Sequence, residues 1–390
     1  MKSVPEHYMV RGIASNLCAT LIGIIFSLIF LEVALRIYNP VIETVKAERV
    51  VLRPNYDEVR QNNRIPTMQN TRIPGVSPVS HIHQNSLGFR GADPPADFAD
   101  RLSIITVGGS TTRSAAQSDD RTWTALLGEA AADCFDRTWI NNAGFEGHTT
   151  FAHIDLIRNY ITKLHPKVVV VLIGANELFV DGGHDREQVA FERTNLYGGI
   201  KGFLRTLATQ SEIVDLGLTL YRSFRAWKGG LNWANMAEGE AMPSAGEAQL
   251  AAARDLQPEY AERLRLMIRL LRHGQTIPVF MTQPTVGGIG RDPTTGKDLS
   301  LLWWGLFWAQ TFEIYNNTMR YVVQSENVYL IDLAHLMPRD TKYYFDPMHY
   351  TDVGAKKVAQ LVAMGLLPYL GRNFPSFNKG TCEIVSSNPR

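Results

Sequence analysis

The sequence predicts an α/β fold, with helices on both faces of a parallel sheet, in a chain that begins with an apolar helix of membrane length. Three observations predict it. From Leu102 onward, short β-branched runs alternate with segments of helical spacing. Strand, helix, strand in succession implies right-handed crossovers and parallel strands. Val168–Ile173 is an unbroken apolar run, as a strand covered on both faces requires. Finally, Ile13–Leu35 is 23 residues with a single charge, Glu32.

As a helix, that N-terminal run would span roughly 35 Å, against about 30 Å for a bilayer core. Its uncharged polar residues are Ser15, Asn16, Thr20 and Ser27. A cleaved signal peptide would have a shorter apolar core and a small-residue cleavage site, but the chain continues Arg36-Ile37-Tyr38. A buried core helix is the other alternative. The preferred reading is an uncleaved anchor over 13–35, preceded by a tail over 1–12, with the lipid bilayer as its partner. Lys2 and Arg11 lie before the span, and Arg36, Lys46, Arg49 and Arg53 after it, so the positive-inside count selects no side.

Residues 36–100 read as a loop-rich connector holding Pro40, Pro54, Pro66, Pro74, Pro78, Pro94 and Pro95. Within it, Asn85–Gly91 reads as a turn whose apolar residues pack against the domain edge. Predicted strands follow at Ser103–Val107, Thr138–Asn141, Val168–Ile173, Ile277–Met281 and Val328–Leu333. Predicted helices are Thr122–Ala132, Thr150–Leu164, Pro258–His273, Leu301–Val323 and Thr351–Leu367. Gly274 is expected to end its helix as a left-handed cap. A helical insertion over 182–255 interrupts the alternation. Its Gly199–Trp227 stretch reads as packing on the domain, with a membrane-surface helix as the alternative. Asn235–Ala253 reads as mobile. The catalytic domain is placed at 101–372 and a C-terminal tail at 373–390.

The formal net charge of +1 provides no basic field for nucleic acid. Three cysteines, Cys18, Cys134 and Cys382, are too few for a disulfide framework and form no zinc pattern. A Cys134–Cys382 bridge would need an oxidising compartment and is the minority reading.

The candidate chemistry lies in four short segments, each after a predicted strand or leading into the last helix. In an open parallel sheet that places them on the carboxyl edge. In Gly108-Gly109-Ser110-Thr111 a serine leaves a strand through two glycines, exposing its hydroxyl beside backbone N–H groups. It lacks the G-x-S-x-G elbow and the P-loop lysine. Asn142–Thr149 contains Gly147, where backbone can approach a ligand closely. Gly174-Ala175-Asn176-Glu177 puts an uncharged amide donor at a strand end. Asp346-Pro347-Met348-His349 allows a carboxylate to fix one ring nitrogen while the other faces a nucleophile. Taken singly, each segment is equally at home in an ordinary turn.

In this order, Gly109-Ser110, Gly147, Gly174–Asn176 and Asp346–His349 resemble the motif blocks of the SGNH/GDSL hydrolase superfamily over roughly residues 100–370. The segments Asn85–Gly91 and Glu32–Pro40 also look like those of anchored bacterial members. The resemblance implies a three-layer α/β/α fold with a flavodoxin-like sheet. It implies an esterase with Ser110 as nucleophile, His349 as base and Asp346 as its partner. The oxyanion hole would comprise Ser110, Gly147 and Asn176, with no metal or cofactor. The implied substrate is a small-molecule or carbohydrate ester, an acetylated sugar first, met outside the cytoplasm. Two departures stand out: Gly109 replaces the usual Asp, and Glu177 ends the G-x-N block in place of Asp. An O-acetyltransferase would use the same triad, and a non-catalytic anchored scaffold would need none of it. Trp303, Trp304 and Trp308 in one aromatic run read first as core, second as a wall for a sugar or acyl chain.

Overall fold

The computed structural model of the chain describes residues 6–37, 45–46, 49–62, 75–177, 207, 211–214, 216–217, 220 and 245–380. They divide into two compact units, Met1–Ala47 with Thr194–Gly230, and Glu48–Arg193 with Leu231–Arg390.

In the first unit a long helix, α1, runs Glu6–Ile37. Its Asn16–Ile37 portion is long and apolar enough to cross a membrane, and most of its apolar side chains are exposed. Glu32, the lone charge of the apolar run, is fully partnered. It accepts from Arg36 Nε at 2.9 Å, Ser211 Oγ at 2.9 Å, Glu212 N at 3.0 Å and Ile213 N at 3.3 Å. A carboxylate in apolar surroundings needs such donors. Most of the 182–255 insertion, including nearly all of Gly199–Trp227, lies outside the described residues.

The second unit carries the sheet. An antiparallel hairpin comes first, β1 (Tyr56–Gln61) with β2 (Val79–Gln84). Then come β3 (Leu102–Gly108), β4 (Thr138–Gly144), β5 (Val168–Leu172), β6 (Ile277–Met281) and β7 (Tyr329–Ile331). These five are all parallel, in the order β4-β3-β5-β6-β7. This is the flavodoxin-like order, and its direction of winding reverses between β3 and β5. Every residue of β5 has no exposed surface. Each buried Val or Leu contributes about 1.5–3 kcal/mol.

The helices are α2 (Ser110–Arg113), α3 (Trp123–Cys134), α4 (Thr150–Leu156), α5 (Ala245–Asp255), α6 (Gln257–His273), α7 (Gly305–Ser325) and α8 (Asp352–Asn373). The predicted elements are present, and their ends differ for physical reasons. β4 runs to Gly144 because glycine there lets α2 approach; a Cβ would lie 2.4 Å from Arg113 N. The predicted helix over Thr150–Leu164 contains a π-helical turn at Ile157–Ile161. α7 starts at Gly305, not Leu301, because Trp303 and Trp304 both adopt left-handed φ, 51° and 57°. α8 passes through Pro368 to Asn373 and buries Leu370 completely. Asn235–Ala253 reads as mobile in the sequence, but its described part belongs to α5, which buries Leu250 and Ala253.

The cap of α6 is also displaced. Gly274 has φ −77°, and the left-handed residue is Gln275 at φ 58°. Gln275 N donates to Arg272 O and Thr276 N to Leu271 O, both at 3.0 Å, which is a Schellman closure one residue later. Cys134 is buried and disulfide-bonded, and Cys18 is free. Cys382 lies outside the described residues.

Candidate active site

The carboxyl ends of β3, β4 and β5 bring three of the four segments together, and the loop before α8 brings the fourth. Gly109, extended at φ −81° and ψ −152°, ends the strand and starts α2, so Ser110 occupies the first helical position. Gly109 also makes room for its neighbour across the turn. A Cβ there would stand 2.7 Å from Asn176 Nδ2, so an Asp at this position would displace the amide. The departure at 109 therefore bears on where Asn176 can sit.

Ser110 Oγ lies 2.7 Å from His349 Nε2, and His349 Nδ1 lies 2.6 Å from Asp346 Oδ2. Asp346 Oδ1 accepts from Met348 N at 2.9 Å and His349 N at 2.8 Å, fixing the carboxylate to its own loop. Phe345 N donates to His349 O and closes that loop, and the Phe345 ring stacks on the imidazole with centroids 5.8 Å apart. Pro347 O receives Val286 N and Thr285 Oγ1 from the loop after β6.

The charges follow from these contacts. Burial alone would raise the Asp346 carboxyl, but the His349 ring and two backbone N–H groups outweigh it and hold it below the usual carboxylate range. Burial likewise disfavours the His349 imidazolium, yet the Asp346 carboxylate outweighs that and lifts the ring above its ordinary value. The His349 side chain keeps 22% of its surface exposed, so the ring is reachable from outside.

Gly147 has φ 72° in a turn that His148 N closes onto Phe145 O, a conformation that favours glycine. Asn176 Nδ2 donates to His148 O at 2.9 Å. An amide nitrogen carries two hydrogens, so this bond uses one of them. Ser110, His349 and Asp346 thus form one hydrogen-bonded chain, and Asn176 binds His148, the residue after Gly147.

Several contributors carry no advance signal. The connector holds the catalytic loops rather than only a domain edge. Phe89 is buried as expected, but Arg90 is buried too. It donates to Arg113 O at 2.5 Å, Ser114 O at 3.0 Å, Gln117 O at 2.8 Å and Asp119 Oδ1 at 2.6 Å. Asn62 Nδ2 and Ser80 Oγ of the hairpin region bind Ala116 O and Ala115 O. Val76 packs with Ala116 and Phe345. Arg60 on β1 pairs with Glu146 at 2.7 Å, and both act electrostatically on His349. Glu177 is buried against Thr150 and Arg263. Of these residues only Glu177 stands out in the sequence, as a motif departure. The aromatic run divides: Phe307, Trp308 and Phe312 are core and pack with Ala175 and Met348, while Trp303 and Trp304 are half-buried.

Among solved structures, the chain is similar to a lipase/acylhydrolase from Enterococcus faecalis, at 15% identity, covering 68% of this chain and 96% of that one, with a TM-score of 0.37. It is similar to a GDSL-like lipase from Bacteroides thetaiotaomicron, at 9% identity, covering 73% and 93%, with a TM-score of 0.36. A third is a catalytic mutant of an acetylxylan esterase from Geobacillus stearothermophilus, at 12% identity, covering 67% and 91%, with a TM-score of 0.38. A comparison with curated proteins gives no match. The model of the GDSL-like Lipase/Acylhydrolase family matches residues 105–357. That match takes in the serine turn, the glycine and asparagine loops and the Asp346–His349 loop. Because it spans well over half the sequence, the chain belongs to the GDSL-like lipase/acylhydrolase family and is an ester-hydrolysing enzyme.

Proposed function

We propose that this enzyme cleaves carbohydrate O-acetyl or related acyl esters with Ser110 as nucleophile. One observation carries the reading: hydroxyl, imidazole and carboxylate stand in unbroken hydrogen-bonding order, 2.7 Å and 2.6 Å apart. Ser110 Oγ bonds to the ester carbon while His349 Nε2 takes its proton, and Asp346 steadies the imidazolium. The oxyanion is held by the N–H groups of Ser110 and Gly147 and by Asn176 Nδ2. His349 then returns the proton to the departing alcohol, and water hydrolyses the acyl-enzyme by the same steps in reverse.

Two further observations support the substrate class and the acceptor. The Arg60–Glu146 pair acting on His349 makes that side of the site polar, which suits a hydroxyl-rich alcohol better than a lipid chain. Exposure of the His349 ring admits water as the acyl acceptor. The test is labelling with a fluorophosphonate probe: the protein is expected to react, and Ser110→Ala to lose the label. An unlabelled native protein, or a labelled Ser110→Ala, would refute the nucleophile assignment.

The pH profile gives a second test. His349 acts as base only when neutral, and its raised value places its protonation above that of an ordinary histidine. Activity should therefore fall as pH drops, with the acid limb of kcat/KM above about 6.5, the ordinary value. Asp346→Asn removes the group that lifts the ring, so the limb should move to lower pH. A limb that stays in place in this variant would contradict the coupling.

For location, the anchor reading of α1 is retained, with the catalytic unit outside the cytoplasm. The disulfide at Cys134 supports an oxidising compartment.

A further inference from the structure

We infer that Glu177, braced by Arg263, is a positioning residue that sets the spacing of the oxyanion donors; this rests on the triad reading above. Asn176 and Glu177 are consecutive, and each reaches across to the same short segment. Asn176 Nδ2 donates to His148 O at 2.9 Å. The Glu177 carboxylate accepts Thr150 N at 2.7 Å on one oxygen and Thr150 Oγ1 at 2.8 Å on the other. These two grips, on residues 148 and 150, clasp the asparagine loop to the segment that follows Gly147. The clasp therefore fixes the distance between the Gly147 N–H and the Asn176 amide, the two donors that come from different loops.

Arg263 on α6 stands behind the clasp. Its Nε donates to Thr150 Oγ1 at 2.6 Å, and its Nη2 lies 3.4 Å from Glu177 Oε2. Its guanidinium also lies over the Phe151 ring, 4.5 Å from the centroid. Arg263 and Glu177 are 4% and 2% exposed, so solvent does not loosen the arrangement. Burial pushes the Glu177 carboxyl up, with Arg263 and Thr150 opposing it. A glutamate has one methylene more than the aspartate usual at this place in the family. The extra reach lets one carboxylate meet both Thr150 groups and the arginine. A buried ion pair adds little stability over an apolar pair of the same volume, so its value here is geometric.

The experiment compares Glu177→Gln with the full-length enzyme on one ester substrate. The expected result is a kcat lower by about tenfold, because small misplacement of a transition-state donor is costly. KM should stay within about twofold, and the acid limb set by His349 should not move, since the base is untouched. Asn176→Ala alone should lower kcat by about a hundredfold, and adding Glu177→Gln to it should cost less than about threefold more. A purely structural ion pair would give an undiminished loss in the Asn176→Ala background. That result, or an unchanged kcat in folded Glu177→Gln, overturns the inference. Glu177→Gln removes one buried negative charge beside Arg263, so the Glu177→Gln/Arg263→Met variant is measured beside it and read by the same criteria. Ser110→Ala separates the two levels. Turnover surviving Ser110→Ala overturns the triad reading itself. With Ser110 essential, the Glu177 series alone decides the positioning role.

Discussion

Ser110→Ala and His349→Ala should each lower kcat for ester hydrolysis by about five orders of magnitude or more, with folding unchanged. The size follows from geometry. Ser110 Oγ is the hydroxyl within hydrogen-bonding distance of His349 Nε2, and that ring is held by Asp346 through Nδ1. Without the hydroxyl no covalent step is available. Without the imidazole the hydroxyl keeps its proton and remains a poor nucleophile. The two groups work as one device, so the double variant should be no worse than either single one. Asp346→Asn should cost about ten-thousandfold, since its task is to set the ring tautomer and stabilise its charge. Steady-state kinetics with an activated acetyl ester measures all four proteins, and circular dichroism melting checks that each is folded. Turnover near the native level in any single variant would rule its residue out of the triad.

Arg90→Ala should be the most destabilising single change outside the triad, by about 3–5 kcal/mol. The guanidinium is only 3% exposed and donates to three carbonyls and one carboxylate. All four acceptors lie between Arg113 and Asp119, at the end of α2 and directly after it. Truncation takes this donor from all four, and a lysine has no planar fork to serve them together. For a unit of this size, about 2–4 °C per kcal/mol gives a melting temperature lower by roughly 10 °C. Activity should fall as well, because the released loop begins three residues after Ser110. Thermal melts of Arg90→Ala and Arg90→Lys test this; a shift under about 2 °C in both would show that the loop holds itself.

The fold and the five proposed site residues were legible because each depends on local pattern. Val168–Leu172 announces a buried strand by composition alone. Ser110, Gly147 and Asn176 come after strands, and a parallel sheet delivers the loops at its strand ends to one edge. The remaining contributors depend on partners far away in the chain, for which no periodicity exists. Arg90 looks like one charge in a turn until the carbonyls of residues 113–117 converge on it. Arg263 sits on a helix with many charges, and only packing shows that it faces inward toward Thr150. The displaced cap at Gln275 is a related lesson: glycine preference marks a neighbourhood, while the hydrogen bonds of the final turn choose the residue. The end of β4 at Gly144 is set in the same way, since its close approach to α2 is a tertiary fact.

The β1–β2 hairpin sets where a working catalytic fragment can begin. A fragment that starts near residue 48 still carries Arg60, Asn62, Ser80 and Arg90. One that starts near residue 100 loses the strap on the loops after Ser110 and before His349. The shorter fragment would retain Ser110, Asp346 and His349 and still be a poor catalyst, because intact chemistry would rest on an unsupported frame.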